Sequence, residues 1–258
     1  MSAITALAST LSNSVTDVQA KISDVQNQLA SGKKNLNSAE QGEVTRLSAQ
    51  VTGYTQSGKN ITQAQNAINV GQTALTSITS LLTTMKQIAT QANNAGLASS
   101  DLTALQATFS QLATQVTNLQ AGATLNGTDP FAGFTVQTGL TSTDTTPVGA
   151  STLTTLTITD DVSAVGGAAT AIASVTDALD AVSVAQSGLN ASAAGLSAQA
   201  TSAASLASNL QSTIDSIQNI DQTAMQAQLQ QLNNQQSIDY YLVSQMNTEA
   251  SAALTIFR

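Results

Sequence analysis

The sequence predicts a mostly α-helical fold, a long coiled-coil-like helical bundle interrupted by one small β-hairpin island. Apolar residues recur every three or four positions near both ends of the chain, a spacing that places them on one stripe of a helix. Aromatic residues make up only 3% of the 258 residues, and Trp is absent. Burial must therefore come from Leu, Ile, Val and Ala, which suits packed helices better than a globule that relies on large aromatic side chains.

The first predicted helix covers residues 3–30 and carries the first apolar stripe. Gly32 stands just past its last turn, where a glycine commonly ends a helix. A polar loop follows, and Ser38 with Gln41 three residues later has the spacing of a capping box. The sequence therefore predicts that a second helix begins at Ser38.

The second helix is the longest and is predicted to run to about Ala95. Its interior glycines are Gly53, Gly58 and Gly71. Each weakens a helix by about 1 kcal/mol relative to alanine, and each also allows a neighbour to pack closely. Ser99 begins a third helix that ends near Gly122, and the short connection predicts that these two helices form an antiparallel hairpin.

Residues 123–167 interrupt the helical pattern. Both prolines of the chain, Pro130 and Pro147, lie in this segment. Apolar and polar residues alternate around Phe134 and again around Leu156, which is typical of short strands. The segment is therefore predicted to form one or two small β-hairpins joined by Thr-rich turns.

Helical periodicity returns from residue 168 onward, with a predicted break near Asn219-Ile220-Asp221. The last segment carries a poorer apolar seam, because Gln236 and Asp239 occupy core-type positions. A polar residue in such a seam can set the register against a helix of a partner subunit. The alternative is that the assigned register is wrong by one residue.

The residue types that enzymes and metal sites use most are missing. The sequence has no Cys and no His, which removes thiolate chemistry, disulfides, the commonest general base and the commonest metal ligand. The adjacent carboxylates Asp160 and Asp161 lack convergent partners in the sequence and are interpreted as a charged strand end. We therefore expect no enzymatic activity, no cofactor and no metal.

The distribution of charge argues against nucleic acid and membranes as partners. The net charge is −8, and Arg258 is the only basic residue after Lys86. Phosphate binding needs clustered basic side chains, and a membrane-surface helix needs them beside its apolar face. Polar residues interrupt every apolar run, so no membrane insertion is expected. Residues 1–20 also lack the pattern of a cleavable secretory signal.

A run of hydroxyl side chains marks one predicted turn of the island. We interpret it as a plain solvated turn, with O-linked sugars as the alternative for such a Ser/Thr-rich stretch. The residues concerned are Thr141, Ser142, Thr143, Thr145 and Thr146.

Several motifs resemble those of bacterial flagellins. Residues 28–39 read QLASGKKNLNSA, which is similar to the family signature Arg-Leu-Ser-Ser-Gly-(Lys/Leu)-Arg-Ile-Asn-Ser-Ala. Residues 65–75 read QNAINVGQTAL and follow the family pattern of the long helix. Asn126-Gly127-Thr128 resembles the Tyr-Asn-Gly-Thr of the family, and residues 254–258 resemble its Leu-Ser-Leu-Leu-Arg terminus. The resemblance covers nearly the whole chain.

One segment departs from the family pattern. Many flagellins carry Leu-Gln-Arg-Val-Arg-Glu-Leu-Ala, which a host innate-immune receptor recognises, where this chain reads LTTMKQIA over residues 82–89. Thr84 replaces the first Arg, and Gln87 replaces the Glu. Innate-immune receptor recognition is therefore not carried over to this chain.

The resemblance implies a division into three parts. Residues 1–37 and 218–258 would form the paired N- and C-terminal helices of the filament core. Residues 38–122 and 168–217 would form an outer helical bundle, and residues 123–167 a β-hairpin island within it. The implied function is that of a secreted structural subunit of the extracellular bacterial flagellar filament, which serves motility.

The two terminal stripes bear directly on assembly. From periodicity alone, pairing within one molecule and self-assembly are equally compatible with them. The resemblance favours assembly, in which the stripes are buried against neighbouring copies. The residues expected at the polymerisation interface are Ile4, Leu7, Leu11, Val18, Ile22, Val25, Leu29, Leu229, Leu232, Val243, Met246, Leu254 and Phe257.

The resemblance also implies partners. These are further copies of the chain, hook-associated junction and cap proteins, an export chaperone and the flagellar type III export apparatus. The alternative function is that of a flagellar hook–filament junction protein. Such proteins usually carry Asn-Ser-Pro where this chain has Asn37-Ser38-Ala39, and this difference favours a flagellin.

Overall fold

The computed structural model of the protein describes residues 2–149, 153 and 156–256. Helices dominate this part of the chain, and the mostly α-helical class with one small β-hairpin is confirmed. The elements in order are α1 (Ser2–Ser31), α2 (Ser38–Ala92), α3 (Ser99–Gly122), β1 (Phe134–Gln137), β2 (Thr145–Val148), α4 (Val165–Gln218) and α5 (Gln222–Ile256).

The described residues form two compact units. The terminal unit takes its residues from 1–48 and 210–258, and the middle unit comprises those of 49–209. Both boundaries fall inside continuous helices, α2 and α4. The sequence placed its boundaries near the ends of these helices, because a break in periodicity is the only mark that a sequence offers.

Aliphatic seams on α2, α3 and α4 form the core of the middle unit. Buried residues on α2 and α4 recur every seven positions, and Phe109 and Val116 of α3 join the same core. Heptad spacing keeps one face of each helix turned inward along its length. One such series on each helix is at most 1% exposed and comprises Ile61, Ile68, Leu75 and Leu82 of α2 and Val175, Val182, Leu189 and Leu196 of α4.

The first predicted strand is present and is paired within the island. β1 pairs antiparallel with β2, from Phe134 opposite Val148 to Gln137 opposite Thr145. Pro147 faces Thr135. This sheet has two strands, so each strand has an open edge, where a proline is tolerated.

The prediction of a second strand region around Leu156 is wrong. Leu156 forms no strand, and with Leu153 it is buried in the middle-unit core. The Gln120 side chain on α3 satisfies the backbone of this stretch. Its Nε2 donates to the Leu153 carbonyl at 3.2 Å, and its Oε1 accepts from the Leu156 N–H at 2.8 Å. Gln106 accepts in the same way from the Val162 N–H at 2.6 Å. Side-chain amides thus take the place of a neighbouring strand.

Two interior glycines of α2 allow the island to pack closely on this helix. A Cβ at Gly71 would lie 2.8 Å from Cγ of Pro130 and 3.1 Å from Cδ1 of Leu189. A Cβ at Gly53 would lie 2.5 Å from Cδ2 of Leu140. Each distance is shorter than an ordinary van der Waals contact between carbons, so the absence of a side chain is what makes this packing possible.

The loop between α1 and α2 follows the prediction at one end and departs from it at the other. Gly32 has a φ of +67° and ends α1, as predicted. The cap of α2 is Asn37 rather than Ser38. Its Oδ1 accepts the N–H groups of Ala39 at 3.0 Å and Glu40 at 2.9 Å, while Glu40 Oε2 accepts the Asn37 N–H at 3.0 Å. This is a reciprocal capping box, shifted by one residue.

Glu40 also forms an ion pair with Lys34, with 2.5 Å between Nζ and Oε1. The hydrogen bond from Lys34, followed by that from the Asn37 N–H, holds the pKa of Glu40 below its ordinary value of 4.5. Because the folded pKa is lowered, the carboxylate stabilises the loop above pH 4.5. That contribution is lost as the pH falls through the folded pKa.

Gly71→Ala should destabilise the protein, although alanine normally favours a helix over glycine by about 1 kcal/mol. The added methyl would press on the rigid Pro130 ring, and a net loss of about 1–3 kcal/mol is expected from such overpacking. Gly58→Ala is the matched control, since a Cβ there meets nothing within 4 Å, and it should raise stability. Urea unfolding measures both variants, and equal changes would contradict the packing role of Gly71.

Asn37→Ala should lower the free energy of unfolding by about 1 kcal/mol, because two N–H groups of α2 lose their acceptor. Ser38→Ala should leave it nearly unchanged, since Asn37 holds the cap position. Thermal unfolding followed by circular dichroism compares the two variants. A larger loss in Ser38→Ala would favour the capping box predicted from the sequence.

Candidate assembly interface

α1 and α5 pack against each other in the terminal unit and run antiparallel. Ser14, near the middle of α1, contacts Asp239, near the middle of α5. Beyond the end of α1, Lys33 forms an antiparallel backbone bridge with Asn219, which precedes α5. The pairing of the N- and C-terminal helices is therefore confirmed.

The seam of this pair is short and apolar. Val18, Ile22 and Val25 of α1 and Leu232 of α5 are between 2% and 8% exposed and form one buried cluster. The partly buried residues packed against it are Leu29, Met225 and Leu229. The expectation that these stripes are buried only against neighbouring copies is wrong for the four buried residues, because they bury one another within the chain.

The other residues expected at the polymerisation interface lie nearer the ends of the chain. Leu11, Val243 and Met246 are half-buried, and Leu7 is 57% exposed. Phe257 lies outside the described residues, as do the side chains of Ile4 and Leu254. The described seam is thus closed near the α1–α2 loop and opens toward the chain ends.

Asp239 is buried in this seam, at 7% exposure. It accepts a hydrogen bond on Oδ2 from the Ser14 hydroxyl at 3.0 Å. Gln236, one turn earlier, is half-buried. The interpretation that the assigned register is wrong by one residue is therefore incorrect, and the partner of Asp239 is a residue of its own chain.

The predicted break near Asn219 is confirmed, since α4 ends at Gln218 and α5 begins at Gln222. The segment between them is hydrogen-bonded to the loop that follows α1. The Lys34 N–H donates to the Gln218 carbonyl at 2.7 Å. Asp221 caps α5, accepting on Oδ1 from the N–H groups of Thr223 at 2.9 Å and Ala224 at 3.1 Å. One end of this connection is thus held by a backbone hydrogen bond and the other by the Asp221 side chain.

A second apolar face on α5 was missed by the sequence analysis. Ile238 is 59% exposed, Tyr241 67% and Leu242 45%. Around the helix, Tyr241 lies about 180° from the buried Leu232, Ile238 about 120° and Leu242 about 80°, and α1 leaves all three exposed. Their spacing of three and four residues is a helical stripe, so a search for two stripes on one helix could have found it.

The Ser/Thr-rich turn joins β1 to β2 and is exposed at Thr141, Ser142, Thr143 and Thr145. The hydroxyls of Thr141 and Thr143 lie 2.9 Å apart. Asp144 accepts the Thr141 N–H at 2.9 Å, and hydrogen bonds from Thr141 lower the pKa of this carboxyl. The turn is therefore ordered by its own side chains, and O-linked sugars on it stay a prediction.

One carboxylate of the adjacent pair at the end of the island, Asp161, forms a local hydrogen bond. Asp161 Oδ1 accepts the Ser163 N–H at 2.7 Å, and hydrogen bonds from Ser163 lower the pKa of Asp161. A Cβ at Gly167 would overlap the Asp161 carbonyl oxygen. Within the described residues, no group of three His, Cys, Asp or Glu side chains could hold a metal ion.

By length and composition, α4 could cross a membrane. One helix of this kind is weak evidence, since a core helix passes the same test. Val175, Val182 and Leu189 of α4 lie in the middle-unit core.

Heptad-packed helices, with the two end helices paired in one unit, define a helical-bundle protein. The sequence matches the bacterial flagellin N-terminal helical region over residues 4–135, just over half of the 258 residues. The chain belongs to the bacterial flagellin family, a family of structural proteins. The structure is similar to the crystal structure of Bacillus cereus flagellin, with a TM-score of 0.44 and 22% sequence identity, over 59% of this chain and 88% of that chain. No match is found among curated proteins.

Ile22→Ala should lower the stability of the terminal unit by about 2–4 kcal/mol, because it opens a cavity in a seam with few other buried residues. Leu7→Ala should change it by less than about 0.5 kcal/mol, since that side chain is already exposed. Amide hydrogen exchange along α1 and α5 in the dilute protein measures both. Equal loss of amide protection in the two variants would contradict the conclusion that Ile22 lies in the closed part of the seam.

Proposed function

We propose that this chain is a flagellin subunit that polymerises into the extracellular bacterial flagellar filament and so serves motility. Membership of the flagellin family supports this proposal. The observation that carries it is the second apolar face of α5, Ile238, Tyr241 and Leu242, which α1 leaves uncovered in the single chain.

An apolar face of this kind favours association between copies of the chain. Removing apolar surface from water is worth about 25 cal/mol per Å², and a homopolymer offers the same face on every subunit. Tyrosine is enriched at interfaces because its ring is apolar while its hydroxyl can bind a polar partner. Tyr241 is the most exposed of the three and is therefore the expected anchor.

The open end of the α1–α5 seam supports the same function. Leu11, Val243 and Met246 are only half-buried in the single chain, and Leu7 is largely exposed. A neighbouring subunit that covers these residues would complete their burial. The polymerisation interface proposed here therefore joins this open end to the outer face of α5, while Val18, Ile22 and Val25 hold the chain's own pair together.

The division into filament parts is proposed from membership of the flagellin family. Residues 1–37 and 218–258 would form the inner core, residues 38–122 and 168–217 the outer bundle, and residues 123–167 the island of that bundle. Hook-associated junction and cap proteins would adjoin the ends of the filament. An export chaperone and the flagellar type III export apparatus would deliver the chain unfolded.

Seeded polymerisation of the purified full-length protein tests the proposal. Short filament fragments should start growth that is visible by light scattering and electron microscopy. The triple variant Ile238→Ser, Tyr241→Ser and Leu242→Ser should keep its helical circular dichroism spectrum. It should need about tenfold more protein to polymerise, because assembly no longer removes three apolar side chains from water.

The matched control is Val184→Ser, which removes an apolar side chain that is 56% exposed on α4 in the middle unit. It should polymerise like the native protein. Normal growth of the triple variant would reject the α5 face as the interface. Failure of the native protein to extend seeds would favour the junction-protein alternative.

A further inference from the structure

The α1–α5 seam contains a buried carboxylate that the proposed polymerisation does not use. Asp239 is 7% exposed, and the Ser14 hydroxyl donates to it at 3.0 Å. Burying a carboxylate is unfavourable unless it is hydrogen-bonded, and an aliphatic residue of similar size often stabilises such a position more. Its presence beside the buried apolar cluster of this seam therefore points to a role other than stability.

The Ser14–Asp239 contact lies where the buried part of the seam ends. At the opposite end, the backbone bridge between Lys33 and Asn219 aligns the two helices beside the loops. Beyond Ser14 and Asp239 toward the chain ends, none of the described side chains of α1 and α5 is buried. The contact is thus the last fixed point of the pair before its open end.

Apolar contacts alone do not fix the alignment of such a pair, because aliphatic residues recur at every helical step. Sliding α5 by one step would place Asp239 against Leu11 or Val18, and neither side chain has a hydrogen-bond donor. A slide by a full heptad toward the loops would bring Asp239 level with Lys21. The backbone bridge beside the loops opposes that slide.

We propose that Ser14 and Asp239 are the register-determining residues of the α1–α5 pair. In the observed alignment the buried carboxylate finds its donor, and in slipped alignments it is buried without one. The pair therefore selects one register at a cost in stability, as a single polar position does in a coiled-coil seam. The proposal concerns the chain by itself and does not rest on polymerisation.

Engineered disulfides can measure the register, because the sequence has no Cys of its own. Leu11 lies three residues before Ser14 and Val243 four residues after Asp239, so Leu11→Cys with Val243→Cys probes the observed alignment. Leu11→Cys with Gln236→Cys probes an alignment slipped by one heptad. In dilute full-length protein under mild oxidation, the first pair should cross-link about tenfold faster, as expected for one hydrogen bond to a charged group.

Asp239→Leu, introduced into both cysteine variants, should remove most of this preference. The urea midpoint should stay the same or rise, because an aliphatic side chain replaces a buried charge. Loss of preference without loss of stability is a result that a merely structural residue would not give. Asp239→Asn should retain the preference, since its amide oxygen still accepts the Ser14 hydroxyl.

Glu249→Leu is the matched control, because it removes an exposed carboxylate from the same helix. It should leave the cross-linking preference unchanged. Equal yields of the two cysteine pairs in the native background would overturn the proposal. An undiminished preference in the Asp239→Leu variants would overturn it as well.

Discussion

Burial of aliphatic side chains along heptad-spaced seams is the interaction on which both units depend. With aromatic residues at 3% of the chain, few side chains bury a large area singly, so stability is spread along the helices. Alanines such as Ala171, Ala178 and Ala185 alternate with larger residues on α4, which keeps the packed helices close. Isolated helices with such seams are marginal in water, so the continuity of each seam matters more than any single contact within it.

The island depends on the helices of the middle unit more than on its own hairpin. A two-stranded hairpin is marginally stable by itself, and here the helices supply what it lacks. The Thr146 hydroxyl donates to Gln199 of α4 at 2.7 Å, and the Ser57 hydroxyl of α2 lies 3.0 Å from the Gly139 carbonyl oxygen. Close packing at Gly71 completes this arrangement, because backbone, proline ring and leucine meet there without a side chain between them.

The terminal unit combines two faces, for which different roles are proposed. The face between α1 and α5 is closed by the chain itself, whereas the outer face of α5 is left to water in the single chain. Pairing within one molecule and assembly between molecules are therefore compatible, because they use different stripes of the same helix. A seam that fixes its own register also presents its outer face in one defined position, which is what a repeating interface needs.

The sequence by itself determined the helices, the break at Asn219, the glycine end of α1 and the flagellin motifs, because periodicity, turn chemistry and local signatures depend on neighbouring residues. Only the tertiary structure decided what lies opposite each stripe. Alternation around Leu156 is typical of a strand, yet its backbone partner is a Gln side chain 36 positions away. In the sequence, Asp239 interrupts an apolar seam, and only the structure shows that Ser14, 225 positions away, donates a hydrogen bond to it. Such pairings are set by packing between distant segments, so the local spacing of residues cannot predict them.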